Sequence, residues 1–304
     1  MDTSSKFEHP FQHMLDIPTL FKLHGYIADK AISLTTKIAF DLGKPILLEG
    51  EAGVGKTQLA KTLAAVLDTR LIRLQCYEGL DTSSALYEWN YAKQILAIRL
   101  AESSQSKQAE IENSIFTEEY LFTRPLLQAV RYKGSTPPVL LIDEIDRADE
   151  EFEAYLLELL SDFQVTIPEL GTFYAEVRPV VILTSNRTRE LNDALKRRCL
   201  YLWLDYPSIE KEQEIIAQHV PEINSDLTRS ISEIVRNLRS IDFFKKPGIA
   251  ESLDWAHALL SLNVKGISPE ILFDTAGVLL KYKDDIERLK TLDVESLLVH
   301  KEHC

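Results

Sequence analysis

The sequence predicts an open, mainly parallel α/β sheet followed by an all-helical segment, and three observations carry that expectation. Apolar runs at Ile46-Leu47-Leu48, Val139-Leu140-Leu141-Ile142, Val180-Val181-Ile182-Leu183 and Leu200-Tyr201-Leu202-Trp203-Leu204, with the short alternating strand Leu71-Ile72-Arg73-Leu74, alternate with stretches of helical periodicity. That alternation is what strands buried between layers of helix produce. A glycine-rich turn joins the first strand directly to a helix. Beyond Tyr206-Pro207 the strand signals stop, and Leu227, Ile231, Ile234 and Leu238 recur at the spacing of a buried helix face.

Residues 1–24 carry Pro10, Pro18 and scattered polar residues and read as an N-terminal extension. Ala28 to Leu42 reads as a helix closed by Gly43, with Pro45 ahead of the first strand. After the second strand, Trp89 to about Glu112 reads as helical, with a polar break at Ser103 to Gln108. Leu121 to Tyr132 reads as a further helix opening at Arg124-Pro125. Glu150 to Leu160 places Phe152, Tyr155, Leu156, Leu159 and Leu160 on one helical face. Val165-Thr166-Ile167 and Phe173-Tyr174-Ala175 flank Pro168-Glu169-Leu170-Gly171, which predicts a β-hairpin. Further helices are expected at Leu253 to Leu262 and Pro269 to Tyr282. The boundaries follow: an extension at 1–24, an α/β core at 25–206 and a helical domain at 207–304.

The glycine-rich turn is Gly50-Glu51-Ala52-Gly53-Val54-Gly55-Lys56-Thr57, continued by Gln58. Strand, glycine turn, Lys-Thr and helix together form the context of a phosphate-binding loop. Glycines let the backbone N–H groups turn inward, and the helix N-terminus adds partial positive charge. In that role Lys56 reaches the β- and γ-phosphates of a nucleotide, and the Thr57 hydroxyl binds Mg²⁺. Asp143-Glu144 closes a buried strand at the sheet edge where ligands gather in such folds. One acid there can hold the Mg²⁺ shell and the second can polarise an attacking water. Asn186 ends the next strand, where a neutral amide can meet a γ-phosphate or the lytic water. Lys196-Arg197-Arg198 precedes the last strand and reads as a basic loop or as an arginine finger offered to a neighbouring subunit's nucleotide.

These runs together resemble an AAA+ ATPase: the P-loop, the Walker B run Leu140-Leu141-Ile142-Asp143-Glu144, the sensor-1-like Asn186, and Leu191-Asn192-Asp193-Ala194-Leu195-Lys196-Arg197-Arg198. Asp143-Glu144-Ile145-Asp146-Arg147-Ala148 is similar to the MoxR-type signature. The run Ser161-Asp162-Phe163-Gln164-Val165-Thr166-Ile167-Pro168-Glu169-Leu170-Gly171-Thr172, with Leu195-Lys196-Arg197-Arg198-Cys199-Leu200, looks like the CoxD-like subgroup. The resemblance implies a three-layer αβα core with a five-stranded sheet, a pre-sensor-1 hairpin and an all-α lid. It also implies ATP and Mg²⁺, and a ring of subunits, usually hexameric, that remodels a client or matures a metallocofactor. Its implied partners are a von Willebrand factor A domain protein and a metalloenzyme client, which for the CoxD-like subgroup is a molybdenum hydroxylase of the carbon monoxide dehydrogenase type. By family position Arg198 corresponds to the finger, and Arg197 stands where many relatives carry Asp. The family's lid arginine has no counterpart in Pro247-Gly248-Ile249-Ala250-Glu251-Ser252-Leu253-Asp254-Trp255, leaving Lys245 or Lys246 as substitutes. The same site operating with little turnover describes a nucleotide-gated assembly module.

Bulk properties narrow the classes further. Lys+Arg 34 against Asp+Glu 47 over 304 residues gives a net charge of -13, which argues against broad nucleic-acid binding. No Asn-Lys-x-Asp guanine-reading run occurs in the chain. No apolar run reaches bilayer length, and the start lacks a signal-peptide layout. Three scattered cysteines, Cys76, Cys199 and Cys304, suit a reducing cytoplasm. Cys76 and Cys199 are expected to be small buried hydrophobes, Trp89 and Tyr91 to pack, and His300-Lys301-Glu302-His303-Cys304 to be a polar chain end.

Overall fold

The computed structural model describes Phe11, residues 16–103 and residues 115–298. The polar break beyond Ser103, most of the N-terminal extension and the segment His300 to Cys304 lie outside the described residues. The chain packs as two compact units. One is built from Asp29–Glu49 and Thr57–Trp203 with the described residues up to Ile17, and the other from Pro18–Ala28, Gly50–Lys56 and the residues from Leu204 onward.

In the first unit five strands form one sheet: β1 (Ile46–Gly50), β2 (Leu71–Gln75), β5 (Val139–Asp143), β8 (Val180–Ser185) and β9 (Leu200–Leu204). Their order is β2-β5-β8-β1-β9. The β2–β5, β5–β8 and β1–β8 pairs are parallel. Every residue of β1 and β5 is buried, as continuous apolar runs between two helix layers require. The registers Glu49↔Ser185 and Ile142↔Leu183 set the carboxyl ends of β1, β8 and β5 side by side. The core gathers Leu47, Ile72, Leu140, Ile142, Phe152, Leu156 and Leu183.

The helix Lys30–Leu42 starts on the Asp29 carboxylate, which accepts from Ile32 N–H, and ends on Gly43 at φ 60. The helix Glu150–Asp162 starts on Asp149 in the same way. The expected hairpin is present as β6 (Gln164–Ile167) and β7 (Gly171–Tyr174), antiparallel, with Ile167 opposite Gly171.

The insertion between β2 and β5 departs from the expectations. Trp89 does not open a helix: it closes β3 (Tyr87–Trp89), which pairs antiparallel with β4 (Leu121–Thr123), and the helix runs Tyr91–Ser103. Leu121 likewise belongs to a strand, and the helix begins only at Pro125 and ends at Val130. Arg124 is extended at ψ 170 because the proline ring disfavours helix at the preceding residue. Trp89 is buried, whereas Tyr91 is exposed on its helix.

In the second unit the helices are Ile209–His219, Ser225–Ser240, Ile249–Ser261, Pro269–Leu279, Lys283–Thr291 and Val294–Leu298. Their shared core centres on Trp255, Leu227, Ile231, Leu238, Leu259 and Leu272. The Trp255 indole N–H donates to Thr275 Oγ1 at 2.8 Å, so the buried ring carries no orphaned donor. The expected N-terminal arm ends in a helix, Ile17–Leu23, whose Phe21 is fully buried. Among the described residues no helix is long and apolar enough to cross a membrane.

Candidate nucleotide site

At the carboxyl end of β5, Asp143 is almost wholly buried and its carboxylate is surrounded by donors. Thr57 Oγ1 lies 3.1 Å from Oδ1 and 3.2 Å from Oδ2. Thr184 Oγ1 donates to Oδ1 at 2.5 Å. Arg73, projecting from β2, donates from Nε at 3.0 Å and Nη2 at 2.6 Å, both to Oδ2. A hydroxyl and a carboxylate side by side are hard oxygen donors of the kind Mg²⁺ takes alongside phosphate oxygens and waters. Among the described residues no group of three or more His, Cys, Asp or Glu forms a metal cage. Mg²⁺ bound with a nucleotide needs none.

Glu144 follows in the left-handed region at φ 56, ψ 51, an uncommon conformation for a residue other than glycine. Its backbone N–H donates to Thr184 Oγ1 at 2.9 Å, so the hydroxyl that braces Asp143 also fixes the turn carrying Glu144. The Glu144 carboxylate sits 3.1 Å from Arg147 Nε. Asn186 is half-buried immediately past β8. Next to it, Arg187 Nε lies 3.9 Å from Glu49, a buried carboxylate that also accepts from the Tyr201 hydroxyl at 3.1 Å. Arg197 and Arg198 are both exposed. Arg198 bonds to Ser161 Oγ of the helix Glu150–Asp162 at 2.9 Å and to the Ala194 carbonyl of its own helix at 3.2 Å, which ties its side chain between the two helices.

The P-loop segment belongs to the second unit. Gly53 and Gly55 have φ 81 and 97, values that side chains resist. Gly50 and Val54 are buried, Gly55 is half-buried, and Glu51, Ala52 and Gly53 are exposed. Lys56 is buried, and its ammonium donates to the Gly50 carbonyl at 2.7 Å and the Glu51 carbonyl at 2.8 Å. A buried cation must be hydrogen-bonded, and here the loop's own carbonyls do part of that. Thr57 is half-buried and Gln58 exposed.

The start of the helix Ile249–Ser261 meets this loop. Ile249 N–H donates to the Gly53 carbonyl at 2.9 Å, and a Cβ on Gly248 would stand 2.8 Å from Gly53 Cα. Glu251 caps the helix by accepting from Gly248 N–H at 2.9 Å. Lys245 Nζ lies 3.8 Å from Glu251, so one of the two substitute cations faces that carboxylate. Behind the segment, buried Arg239 pairs with both oxygens of buried Glu212 at 2.7 and 2.8 Å and donates to the Pro247 carbonyl at 2.8 Å.

Arg73, Thr184, Glu49, Arg187 and the Arg239–Glu212 pair escaped the sequence reading. The signal that could have found Thr184 is its place near the end of the strand adjacent to Asp143, one residue past Leu183 as Asp143 is one past Ile142. Arg73 was hidden because a charge at an exposed position of an alternating strand reads as a solvated residue and gives no hint of its partner. Arg124 pairs with Glu88.

Residues 45–199 match the AAA domain family, dynein-related subfamily. A protein of Staphylococcus aureus strain USA300 is 30% identical over 241 residues, covering 72% of this chain and 83% of that protein. A Thermotoga maritima RuvB variant is 20% identical, covering 84% of this chain and 70% of that one, with a TM-score of 0.49. A Cytophaga hutchinsonii protein is 17% identical, covering 94% and 92%, with a TM-score of 0.48.

Proposed function

Because this chain belongs to the AAA domain family, in its dynein-related subfamily, we propose that it hydrolyses ATP and spends the cycle on remodelling a client protein. The observation that carries the reading is the Thr57–Asp143 hydrogen bond at the end of β5, with Glu144 as the next residue. It joins the P-loop helix to the strand-end acid of the same site.

Each residue then has a role. Lys56 and the amides of Gly50 to Gln58 hold the phosphates. Thr57 and Asp143 hold Mg²⁺, which when bound neutralises charge on the β- and γ-phosphates. Glu144 orients the attacking water and accepts its proton. Asn186 hydrogen-bonds the γ-phosphate or that water. Arg198 reaches the nucleotide of a neighbouring subunit, a contribution worth roughly 10³ to 10⁵ in turnover, or about 4 to 7 kcal/mol of barrier. The α/β core is 25–206 and the lid 207–304. The MoxR-type and CoxD-like resemblance supports a cytoplasmic hexameric ring, a von Willebrand factor A domain partner and a metalloenzyme client. A molybdenum hydroxylase is the client class that resemblance favours.

Steady-state phosphate release tests the catalytic part. Glu144→Gln is expected to lower turnover at least a hundredfold while leaving ATP binding intact, and wild-type turnover in that variant would refute the role of Glu144. Because it holds ATP, the same variant should retain the client in a pull-down.

A second reading, a nucleotide-gated assembly module, is favoured by the absence of the MoxR-type lid arginine from Pro247 to Trp255, where Glu251 would repel a γ-phosphate. It predicts ATP-dependent assembly with negligible phosphate release even when the client is present.

A further inference from the structure

We propose that Arg73 is an internal counter-ion for Asp143 that competes with Mg²⁺ for the same carboxylate. The inference rests on the Mg²⁺-dependent nucleotide site proposed above and adds a residue that tunes it.

The case begins with acceptor capacity. A carboxylate offers about four lone-pair directions, and Asp143 already takes Nε and Nη2 of Arg73, Thr184 Oγ1 and the Thr57 hydroxyl. A metal ion, or a water of its shell, can therefore approach only if a donor withdraws. Thr184 is buried and also receives the Glu144 N–H, so it is fixed. Thr57 is itself a metal ligand in the proposed site. Arg73 remains. Its side chain is 49% exposed where that of Asp143 is 4% exposed, which gives it a route away from the carboxylate.

Register makes the pairing a property of the sheet. Gln75 lies opposite Asp143, and Arg73 is two residues earlier on β2, hence on the same face. Gln75 Oε1 also accepts from Arg73 Nη2, so the guanidinium keeps a hydrogen bond when it leaves Asp143. Without metal, Arg73 neutralises a buried carboxylate that would otherwise be costly to leave unpaired. With metal, it is a like charge beside a divalent cation. Its two-point contact makes it a stronger competitor than a lysine at the same place.

The test uses full-length protein and Mg²⁺ itself. A non-hydrolysable ATP analogue is first bound in EDTA, and Mg²⁺ is then titrated into that complex by calorimetry. Arg73→Gln is expected to bind the metal-free analogue as wild type does and to lower the Mg²⁺ midpoint roughly three- to tenfold. Arg73→Lys is expected to lower it about twofold, and carries the test if the glutamine variant does not fold. An unchanged or raised midpoint in the folded variants overturns the proposal and makes Arg73 a prop that holds Asp143 in place. Wild-type protein that binds no analogue at all would instead defeat the nucleotide-site reading. Thermal melting gives an independent readout: the deficit of Arg73→Gln in EDTA should shrink once Mg²⁺ and the analogue are added. A purely structural prop would leave that deficit unchanged.

Discussion

At Gly50 the last residue of β1 runs so close to its neighbour that a Cβ would stand 2.2 Å from the Leu204 carbonyl oxygen and 3.4 Å from Val54 Cγ2. The carbonyl is backbone and cannot step aside as a side-chain tip can. Gly50→Ala is therefore expected to lower the unfolding free energy by roughly 2–4 kcal/mol, measured in urea, which is the range of severe backbone conflicts. The two described cysteines are both buried. Burial pushes the Cys76 thiol up to about 12, with the carboxylates of Asp143, Asp146 and Glu144 adding to the shift. Cys199 also rises to about 12 by burial, although Arg198 and Lys44 pull the other way. Both stay protonated at neutral pH, so a thiol reagent at pH 8 should label neither until denaturant is added. The sign for stability follows. Raised folded values give a contribution that is complete below the unfolded value near 9 and is lost as pH climbs towards about 12.

Among elements, the start of the helix Ile249–Ser261 has the most to lose. Arg239 ties helix Ser225–Ser240 to Glu212 of helix Ile209–His219 and to the Pro247 carbonyl, and Ser252 adds a hydrogen bond to Glu212 at 2.6 Å. Arg239→Met leaves a buried carboxylate unpaired and should cost about 3–5 kcal/mol, with Glu212→Gln added in the same chain recovering part of it. Urea unfolding of the single and double variants checks both figures. The strength of this buried pair was invisible in the sequence because its members lie 27 residues apart on two helices and each alone reads as a solvated charge. The strands β1, β5 and β8 were legible because burial on both faces demands unbroken apolar runs, and β2 because its apolar residues alternate with exposed ones. The β3–β4 pair was not: Tyr87–Trp89 and Leu121–Thr123 are three residues each, too short to show a period of two. The glycine turn was legible for another reason, since Gly53 and Gly55 are required by their backbone angles. What the sequence did not disclose is that Gly248 is needed as well, by its contact with Gly53. Gly248→Ala should keep its helical circular dichroism and weaken binding of an ATP analogue about tenfold, read by calorimetry, because the new methyl displaces the loop.

For the molecule as a whole, a net charge of -13 gives the surface little to offer a polyanion, and in the proposed ring the catalytic arginine comes from another copy of the chain. Arg198 is exposed, bonded to Ala194 of its own helix and to Ser161 of the helix Glu150–Asp162. If its role is in trans, each working site in a ring draws its P-loop from one subunit and its arginine from the next, a head-to-tail arrangement. Lys56→Ala then destroys a subunit's own site but leaves its arginine usable, and Arg198→Ala does the reverse. Each variant alone should be nearly inactive. Mixed in equal amounts and allowed to exchange subunits, they should rebuild about one interface in four, since a random neighbour pair has the intact P-loop and the intact arginine in the right order that often. Phosphate release from the mixture should recover to roughly a quarter of the wild-type rate. An arginine acting within its own subunit would restore nothing, because no single chain in the mixture carries both intact residues.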